Sequence, residues 1–220
     1  MRVAITMLAA LLALGAAGAV RADELGAASP AEDEGLVAVK IKGLDHVWSS
    51  PGANLSAYGK IMIDPVEVSF RKDWKPEIAG GPITAAERQS IKDALAKIFR
   101  QELKKEIEGG GYPVVNTPES DVLRIRAEIR DLYINAPDLP RAGLTRVYAL
   151  SAGEMRLVAE LRDSSTGALI ARVIDLKRDP DAPWLHVTTR VENVAAARRA
   201  IAEWAKILRK RLDAAHTIEQ

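Results

Sequence analysis

Cysteine is absent from this sequence of 220 residues, and aromatic residues make up only 5% of it. Without cysteine, no disulfide can close the fold, whatever the redox state of the compartment. The hydrophobic content of 48% and the charged content of 28% are ordinary for a globular protein with a sizeable core. The length fits one domain with short appendages at most.

The chain also lacks the residue patterns of common catalytic and cofactor sites. Its three histidines, His46, His186 and His216, are isolated and have no metal-ligand spacing. The glycines of residues 109–111 follow a predicted helix, whereas a phosphate-binding loop precedes one. No serine lies in a G-x-S-x-G elbow, and the Asp-Pro-Asp of residues 179–181 has too few carboxylates for a calcium loop. We therefore expect no catalytic residue, no cofactor and no metal site, and an enzyme is not favoured.

The first residues have the three parts of a cleaved secretory signal peptide. Arg2 precedes about a dozen apolar residues, and small residues follow them. The apolar run is shorter than the roughly 20 residues of a transmembrane helix. We expect cleavage after Ala22, with Ala19 as the alternative, and therefore a secreted, periplasmic protein. Because no cysteine follows the leader, we expect a free protein rather than a lipid-anchored one.

An excess of one charge is missing as well. Removal of residues 1–22 would take away Arg2 and Arg21 and no acidic residue, which leaves 29 basic and 30 acidic side chains. A nearly neutral protein has no electrostatic footprint for nucleic acid or for an anionic membrane. We expect neither as a partner, and the sequence does not indicate an oligomeric state.

The strand and helix patterns that are present predict one α/β domain over residues 48–214. Residues 61–70 alternate as a strand, and the alternation changes phase at Pro65, which indicates a bulge near a sheet edge. Residues 84–108 form a helix that opens with a capping box at Thr84. Further strands are predicted at 112–115, 123–134, 155–161 and 168–175, with a second phase change at Asp131, and a last helix at 191–212 with Trp204 on its buried stripe.

The predicted element order is β-α-β-β-β-β-α. We expect an α+β fold in which an antiparallel or mixed sheet carries both long helices on one face. Residues 23–47 are predicted to be a flexible amino-terminal segment with a possible edge strand at 36–41, and residues 215–220 a tail.

Several short motifs stand out along the chain: Pro-Gly-x-Asn at 51–54, Tyr58, the strand IDPVEV at 63–68, Asp73-Trp74, the hairpin at 160–167, and Trp204. Together they resemble a bacterial family of uncharacterised envelope proteins, domain of unknown function 3313. The resemblance spans residues 48–212 and implies an envelope address but no activity. Many members look like outer-membrane lipoproteins, from which this chain departs because it has no cysteine. The element order is also similar to TolB amino-terminal-like and CsgG-like envelope domains, which implies by analogy an adaptor or assembly module.

Two long loops are the predicted contact sites, at residues 136–153 and 176–188. Long loops in compact domains often carry function, and tryptophan is enriched at contact sites. The candidate partner-binding residues are Leu139, Leu144, Trp184 and Leu185. We hypothesise a non-enzymatic binding or assembly module that contacts other envelope proteins.

Two alternatives stay open. One is a periplasmic hydrolase with carboxylates at Asp64 and Glu67. These two would face opposite sides of a regular strand and could meet only across the bulge. The other is a small-ligand-binding protein with its site between the sheet and the loops.

Overall fold

Eight strands form one mixed sheet in the computed structural model, which describes residues 35–75, 82–134, 148–149, 153–178, 186–187 and 190–217. The elements in chain order are β1 (Val37–Val39), β2 (His46–Ser49), β3 (Lys60–Ile63), β4 (Glu67–Phe70), α1 (Ala85–Gly109), β5 (Val114–Val115), β6 (Val122–Ile134), β7 (Tyr148–Ala149), β8 (Gly153–Asp163), β9 (Leu169–Arg178), β10 (His186–Val187) and α2 (Arg190–Thr217). Strands β7 and β10 form a separate two-stranded ladder. The predicted α+β fold, with one sheet and two helices, is confirmed.

The sheet order is β1-β2-β9-β8-β6-β3-β5, and β4 pairs with β6 beyond the end of β3. Strands β3 and β4 run parallel to β6, whereas β8, β9 and β2 follow in antiparallel pairs. The predicted element order was incomplete, because β2, β7 and β10 were not predicted and the single strand predicted at 61–70 is divided into β3 and β4. The possible edge strand at 36–41 is β1, which lies at one end of the sheet.

The interruption between β3 and β4 is the bulge that the phase change at Pro65 predicted. Ile63 pairs with Ile125, and Glu67 pairs with Glu128, so three residues of one strand face two of the other. Pro65 has no N–H to donate to the sheet ladder and lies inside this interruption. The bulge lies near one edge of the sheet, as the pattern predicted, because β4 pairs with β6 alone among the described strands.

The second predicted phase change is a bulge in β6 at Asp131. Its backbone φ is +53°, in the left-handed region that aspartate tolerates better than most residues. The pairing of β6 with β8 shifts between Arg130 and Tyr133. Because of this extra residue, Leu132 is buried in the core, as the alternation predicted.

The main hydrophobic core lies between the sheet and the two helices. Helix α1 begins at the capping box, in which Thr84 Oγ1 accepts from Glu87 N at 3.2 Å and Thr84 N donates to Glu87 Oε2 at 2.8 Å. The buried residues of α1 are Leu95, Phe99, Leu103 and Ile107. They pack in one cluster with α2 and with the sheet, and burial of each such side chain contributes about 1.5–3 kcal/mol. The helices also contact each other, so both lie on one face of the sheet.

Neither helix, over the ranges described, is long and apolar enough to cross a bilayer. Helix α2 begins at Arg190, so the possible capping residue Thr189 lies outside the described residues.

Candidate binding groove on the open face of the sheet

The face of the sheet that points away from the helices carries charged side chains. In β6, Arg124, Arg126, Glu128 and Arg130 alternate with apolar residues that are buried against the helices. A strand alternates in this way when one of its faces packs on the core and the other meets solvent. The two faces of the sheet are therefore chemically different.

A cavity of about 600 Å³ opens on this face, beside the bulge between β3 and β4. We call it the charged groove, because five arginines and four acidic residues line it, together with Pro65, Ala127 and Val158. The charged residues are Arg124, Arg126, Arg130, Arg162, Arg172, Asp64, Glu67, Glu128 and Glu160. They come from β4, β6, β8, β9 and the bulge.

Asp64, the first residue of the bulge, is the centre of one group of ion pairs. Arg124 Nε lies 2.9 Å from Asp64 Oδ1 and 3.0 Å from Oδ2, so it donates to this carboxylate. Arg126 Nε lies farther away, at 3.7 Å from Oδ2. From α1, Arg100 Nη1 donates to the carbonyl oxygen of Ile63 at 2.7 Å. These contacts hold the bulge in place from both sides.

Glu160 in β8 is the centre of a second group. It accepts from Arg162 Nε at 2.8 Å and from Arg172 Nη2 at 2.8 Å. Burial alone would raise the pKa of Glu160, but the hydrogen bonds from the two arginines outweigh it and lower the pKa below its ordinary value. The carboxylate is therefore ionised and bridges two strands.

Like charges oppose each other three times on this face. Arg124 pairs with Arg162, and Arg130 with Arg156, at directly opposite positions of β6 and β8, and Glu67 of β4 pairs with Glu128 of β6. Such pairs are destabilising unless groups of the opposite charge offset them. Each arginine has such a group beside it; for example, Arg130 Nη2 lies 2.6 Å from Glu128 Oε2. Most charges of the groove are thus bound to one another.

Asp64 and Glu67, the two carboxylates of the hydrolase alternative, line the same groove. The bulge between them makes this possible, because on a regular strand they would face opposite sides. Asp64 is largely buried, with 15% of its side chain exposed, whereas Glu67 is exposed. The groove lies on the open face of the sheet, away from the core between the sheet and the helices.

The four predicted contact residues Leu139, Leu144, Trp184 and Leu185 lie outside the described residues. Short segments of their two loops are described. Tyr148 pairs with Val187, and Ala149 with His186, in the antiparallel ladder of β7 and β10. The two loops that the sequence singles out are therefore joined by backbone pairing. Residues 176–178, predicted as the start of the second loop, belong to β9 instead, because they continue its pairing with β8.

The histidines that are described take structural positions. The His46 ring stacks on Trp48, with ring centroids 5.8 Å apart, and His216 Nδ1 lies 2.8 Å from the carbonyl oxygen of Leu212. Among the described residues there is no group of three or more His, Cys, Asp or Glu that could hold a metal ion.

The residues that carry the family resemblance have packing and hydrogen-bonding roles. Tyr58 Oη donates to Asp163 Oδ2 at 3.1 Å, which links the start of β3 to the hairpin between β8 and β9. Trp74 is buried and stacks on Phe70, with ring centroids 3.9 Å apart. Its Nε1 donates a hydrogen bond of 2.9 Å to the carbonyl oxygen of Ile134. Tyr58 and Trp74 therefore support the fold and do not line the groove, whereas the motifs at 63–68 and 160–167 contribute lining residues to it.

Sequence reasoning missed the charged groove. The alternation of arginine with apolar residues in β6 was visible, but it indicated only a solvated face. The usable signal was the choice of arginine at 124, 126 and 130, because its planar guanidinium favours paired, oriented contacts with carboxylates.

Several solved structures are similar to this chain. PelC from Paraburkholderia phytofirmans, which is a dodecamer, is 11% identical with a TM-score of 0.39, over 74% of this chain and 96% of PelC. A DUF330-family protein from Xanthomonas campestris is 12% identical with a TM-score of 0.40, over 78% of this chain and 93% of that one. A minor lipoprotein from Acinetobacter baumannii is 14% identical with a TM-score of 0.38, over 71% of this chain and 94% of that one.

No curated protein is similar enough to this chain to count as a match. The model of the family "Protein of unknown function (DUF3313)" matches residues 31–208, which is most of the chain and includes the whole charged groove. The resemblance noted from the sequence motifs is therefore confirmed, and the chain belongs to the DUF3313 family.

Proposed function

We propose that this protein is a non-enzymatic binding module of the bacterial envelope, which holds a partner protein on its charged groove. One observation carries the proposal: the face of the sheet left open by both helices has a cavity lined by five arginines and four acidic residues. Arginine is enriched at protein interfaces, and complementary charges there give specificity.

The mixture of positive and negative side chains in the groove favours a protein as the partner. Nucleic acid and anionic membranes present one sign of charge and call for a basic surface. The groove has acidic groups beside nearly every arginine, which suits a partner surface that carries both positive and negative charges. Protein surfaces carry charges of both signs.

The address remains part of the proposal. It rests on the leader at residues 1–22, whose composition is that of a secretory signal peptide. The role of an adaptor or assembly module, by analogy with TolB amino-terminal-like and CsgG-like domains, is likewise proposed.

The two long loops are proposed as a second contact region. Trp184 and Leu185 precede β10, and Leu139 and Leu144 precede β7. The pairing of β7 with β10 supports the idea that both loops belong to one surface.

The position of Asp64 and Glu67 in one groove supports the hydrolase alternative. General acid–base catalysis needs a carboxylate that can exchange a proton with a substrate. Both oxygens of Asp64 already lie within hydrogen-bonding distance of Arg124 Nε. A binding role is therefore favoured over hydrolysis.

A small-ligand site is the other alternative. The volume of the groove lies within the usual range for such sites, which are however lined mainly by apolar and aromatic side chains. The charged lining favours a polar protein surface instead.

In-cell photo-crosslinking tests the proposal. A photoreactive amino acid is placed at Ser69, which is exposed on β4 and leaves the charges of the groove intact, and separately at Trp184. The matched control is Lys97, exposed on α1. We expect one protein adduct from position 69 that is absent from position 97. If a folded, exported protein gives no specific adduct from position 69 or 184, the proposal is wrong.

A further inference from the structure

The ion pairs of the charged groove leave two of its side chains without a close partner. Arg126 has 58% of its side chain exposed, and its nearest acidic group, Asp64 Oδ2, lies at 3.7 Å, too far for a hydrogen bond. The side chain of Glu67 is exposed, and its carboxylate makes neither an ion pair nor a hydrogen bond with any described part of the chain. One of these groups is a cation and the other an anion.

The two groups lie close together across neighbouring strands. Glu67 pairs directly with Glu128, and Arg126 is two residues before Glu128 on the same face of β6. Such diagonal neighbours are about 8 Å apart at their Cα atoms. A ligand that spans two residues of an extended chain could therefore reach both.

The other charges of the groove make the end at Arg126 more positive than the end at Glu67. The end at Arg126 has four arginines and two acidic residues: Arg124, Arg126, Arg162, Arg172, Asp64 and Glu160. The end at Glu67 has two acidic residues and one arginine: Glu67, Glu128 and Arg130. The first end has a net positive charge and the second a net negative one.

We propose that the charged groove binds an extended segment of a partner protein in which an acidic and a basic side chain are two residues apart. The acidic side chain binds Arg126 and the basic side chain binds Glu67. Side chains two apart on an extended chain share a face and are about 7 Å apart, which matches the spacing of these two groups. A partner with acidic groups alone would be repelled at the Glu67 end. This inference rests on the proposed function.

The test uses the purified mature protein and short peptides. The bipolar peptide is acetyl-Gly-Glu-Gly-Lys-Gly-amide, and the two comparison peptides have Glu or Lys at both positions. Binding is followed by the NMR shifts of the backbone amides in β4 and β6. We expect the bipolar peptide to shift amides near Arg126 and Glu67, and to bind about threefold more tightly than either comparison peptide, since exposed ion pairs contribute modestly.

Charge reversals locate the contacts. Arg126→Glu and Glu67→Lys should each weaken binding of the bipolar peptide about threefold. The double variant should regain much of this loss, because the peptide can bind in the opposite orientation. The matched control is Arg198→Glu on α2, since Arg198 is similarly exposed, at 53%, and lies 3.3 Å from its acidic partner Glu102. Circular dichroism and thermal melting check that all variants are folded.

Several results would overturn the inference. They are absence of binding by the bipolar peptide, equal binding of the acidic peptide, an equal effect of Arg198→Glu, or a double variant no better than the single ones. If crosslinking from Ser69 still captures a partner, only this inference fails and the proposed function stands. If both experiments fail, the proposed function fails as well.

Discussion

The indole Nε1 of Trp204 in α2 donates a hydrogen bond of 2.6 Å to Asp175 Oδ2 in β9, and both side chains are buried. The other carboxylate oxygen, Oδ1, accepts from the backbone N–H of Asp45 at 2.9 Å. One buried carboxylate thus links the last helix, the sheet and the segment before β2. A buried carboxylate that loses a donor keeps its desolvation cost, so this link should be important for stability.

Replacement of Trp204 tests this link. Trp204→Phe keeps an aromatic ring but removes the donor to Asp175, and should lower the free energy of unfolding by about 2 kcal/mol. Urea unfolding followed by circular dichroism measures the change. The control is Lys206→Ala, exposed on the same helix, which should stay within about 0.5 kcal/mol of the wild type. Equal stability of Trp204→Phe and the wild type would contradict the prediction.

The left-handed conformation of Asp131 predicts an unusual preference for glycine within a strand. Both Asp131→Gly and Asp131→Ala remove the ion pair with Arg156. Alanine also has to adopt a φ of +53°, so Asp131→Ala should be less stable than Asp131→Gly by about 1 kcal/mol in urea unfolding.

The matched control for this comparison is Glu128, on the same strand and in regular pairing. There the Glu128→Gly variant should be less stable than Glu128→Ala, because glycine loses more backbone entropy on folding than alanine. The same order of glycine and alanine at both positions would show that the bulge imposes no left-handed conformation.

The hairpin carboxylate Asp163 predicts a pH dependence of stability. Hydrogen bonds from the Ser165 hydroxyl, from Thr166 and from Tyr58 hold the pKa of Asp163 well below its usual range. Because the folded pKa lies below the unfolded one, this group stabilises the fold above about pH 4, and the contribution is lost as the pH falls through the folded pKa.

Asp163→Asn should therefore lower the free energy of unfolding at pH 7, and its difference from the wild type should narrow below about pH 4. Tyr58→Phe, which removes one of the donors, should show a smaller change in the same direction. Urea unfolding at pH 7, pH 4 and below measures both variants. A difference that stays constant with pH would rule out this role of the carboxylate.

Export can be tested by the mass of the protein recovered from the periplasmic fraction. We expect a chain that begins at Asp23, because the signal peptide is predicted to end at Ala22. Cleavage after Ala19 would give a chain beginning at Val20. Recovery of the full-length chain from the cytoplasm alone would contradict the proposed address.

The sequence predicted best the features that a local pattern records. The bulge at Pro65 and the bulge at Asp131 both appear as changes of phase, since the side chain of every second residue in a strand faces the core. The capping box at Thr84 is likewise a local pattern, because it involves only residues 84–87. Strand β2 has a single buried residue, Val47, and a pattern that short could not be distinguished from a loop.

The charged groove could not be predicted, because its contacts join distant parts of the chain. Asp64 meets Arg124 only because β3 and β6 are neighbours in the sheet. Glu160 reaches Arg172 only because the register of β8 and β9 sets them opposite each other. Spacing along the sequence gives neither the strand order nor the register.

The position of β2 between β1 and β9 affects when this protein can complete its fold during synthesis. His46 pairs with Ile174, so the amino-terminal strand has no partner on that side until nearly the whole chain has been made. Pairing between such distant segments is slow. The amino-terminal pair of β1 and β2 can therefore join the sheet only after β9 has been made. A chain truncated before β9 would leave β2 and β8 as open edges prone to aggregation.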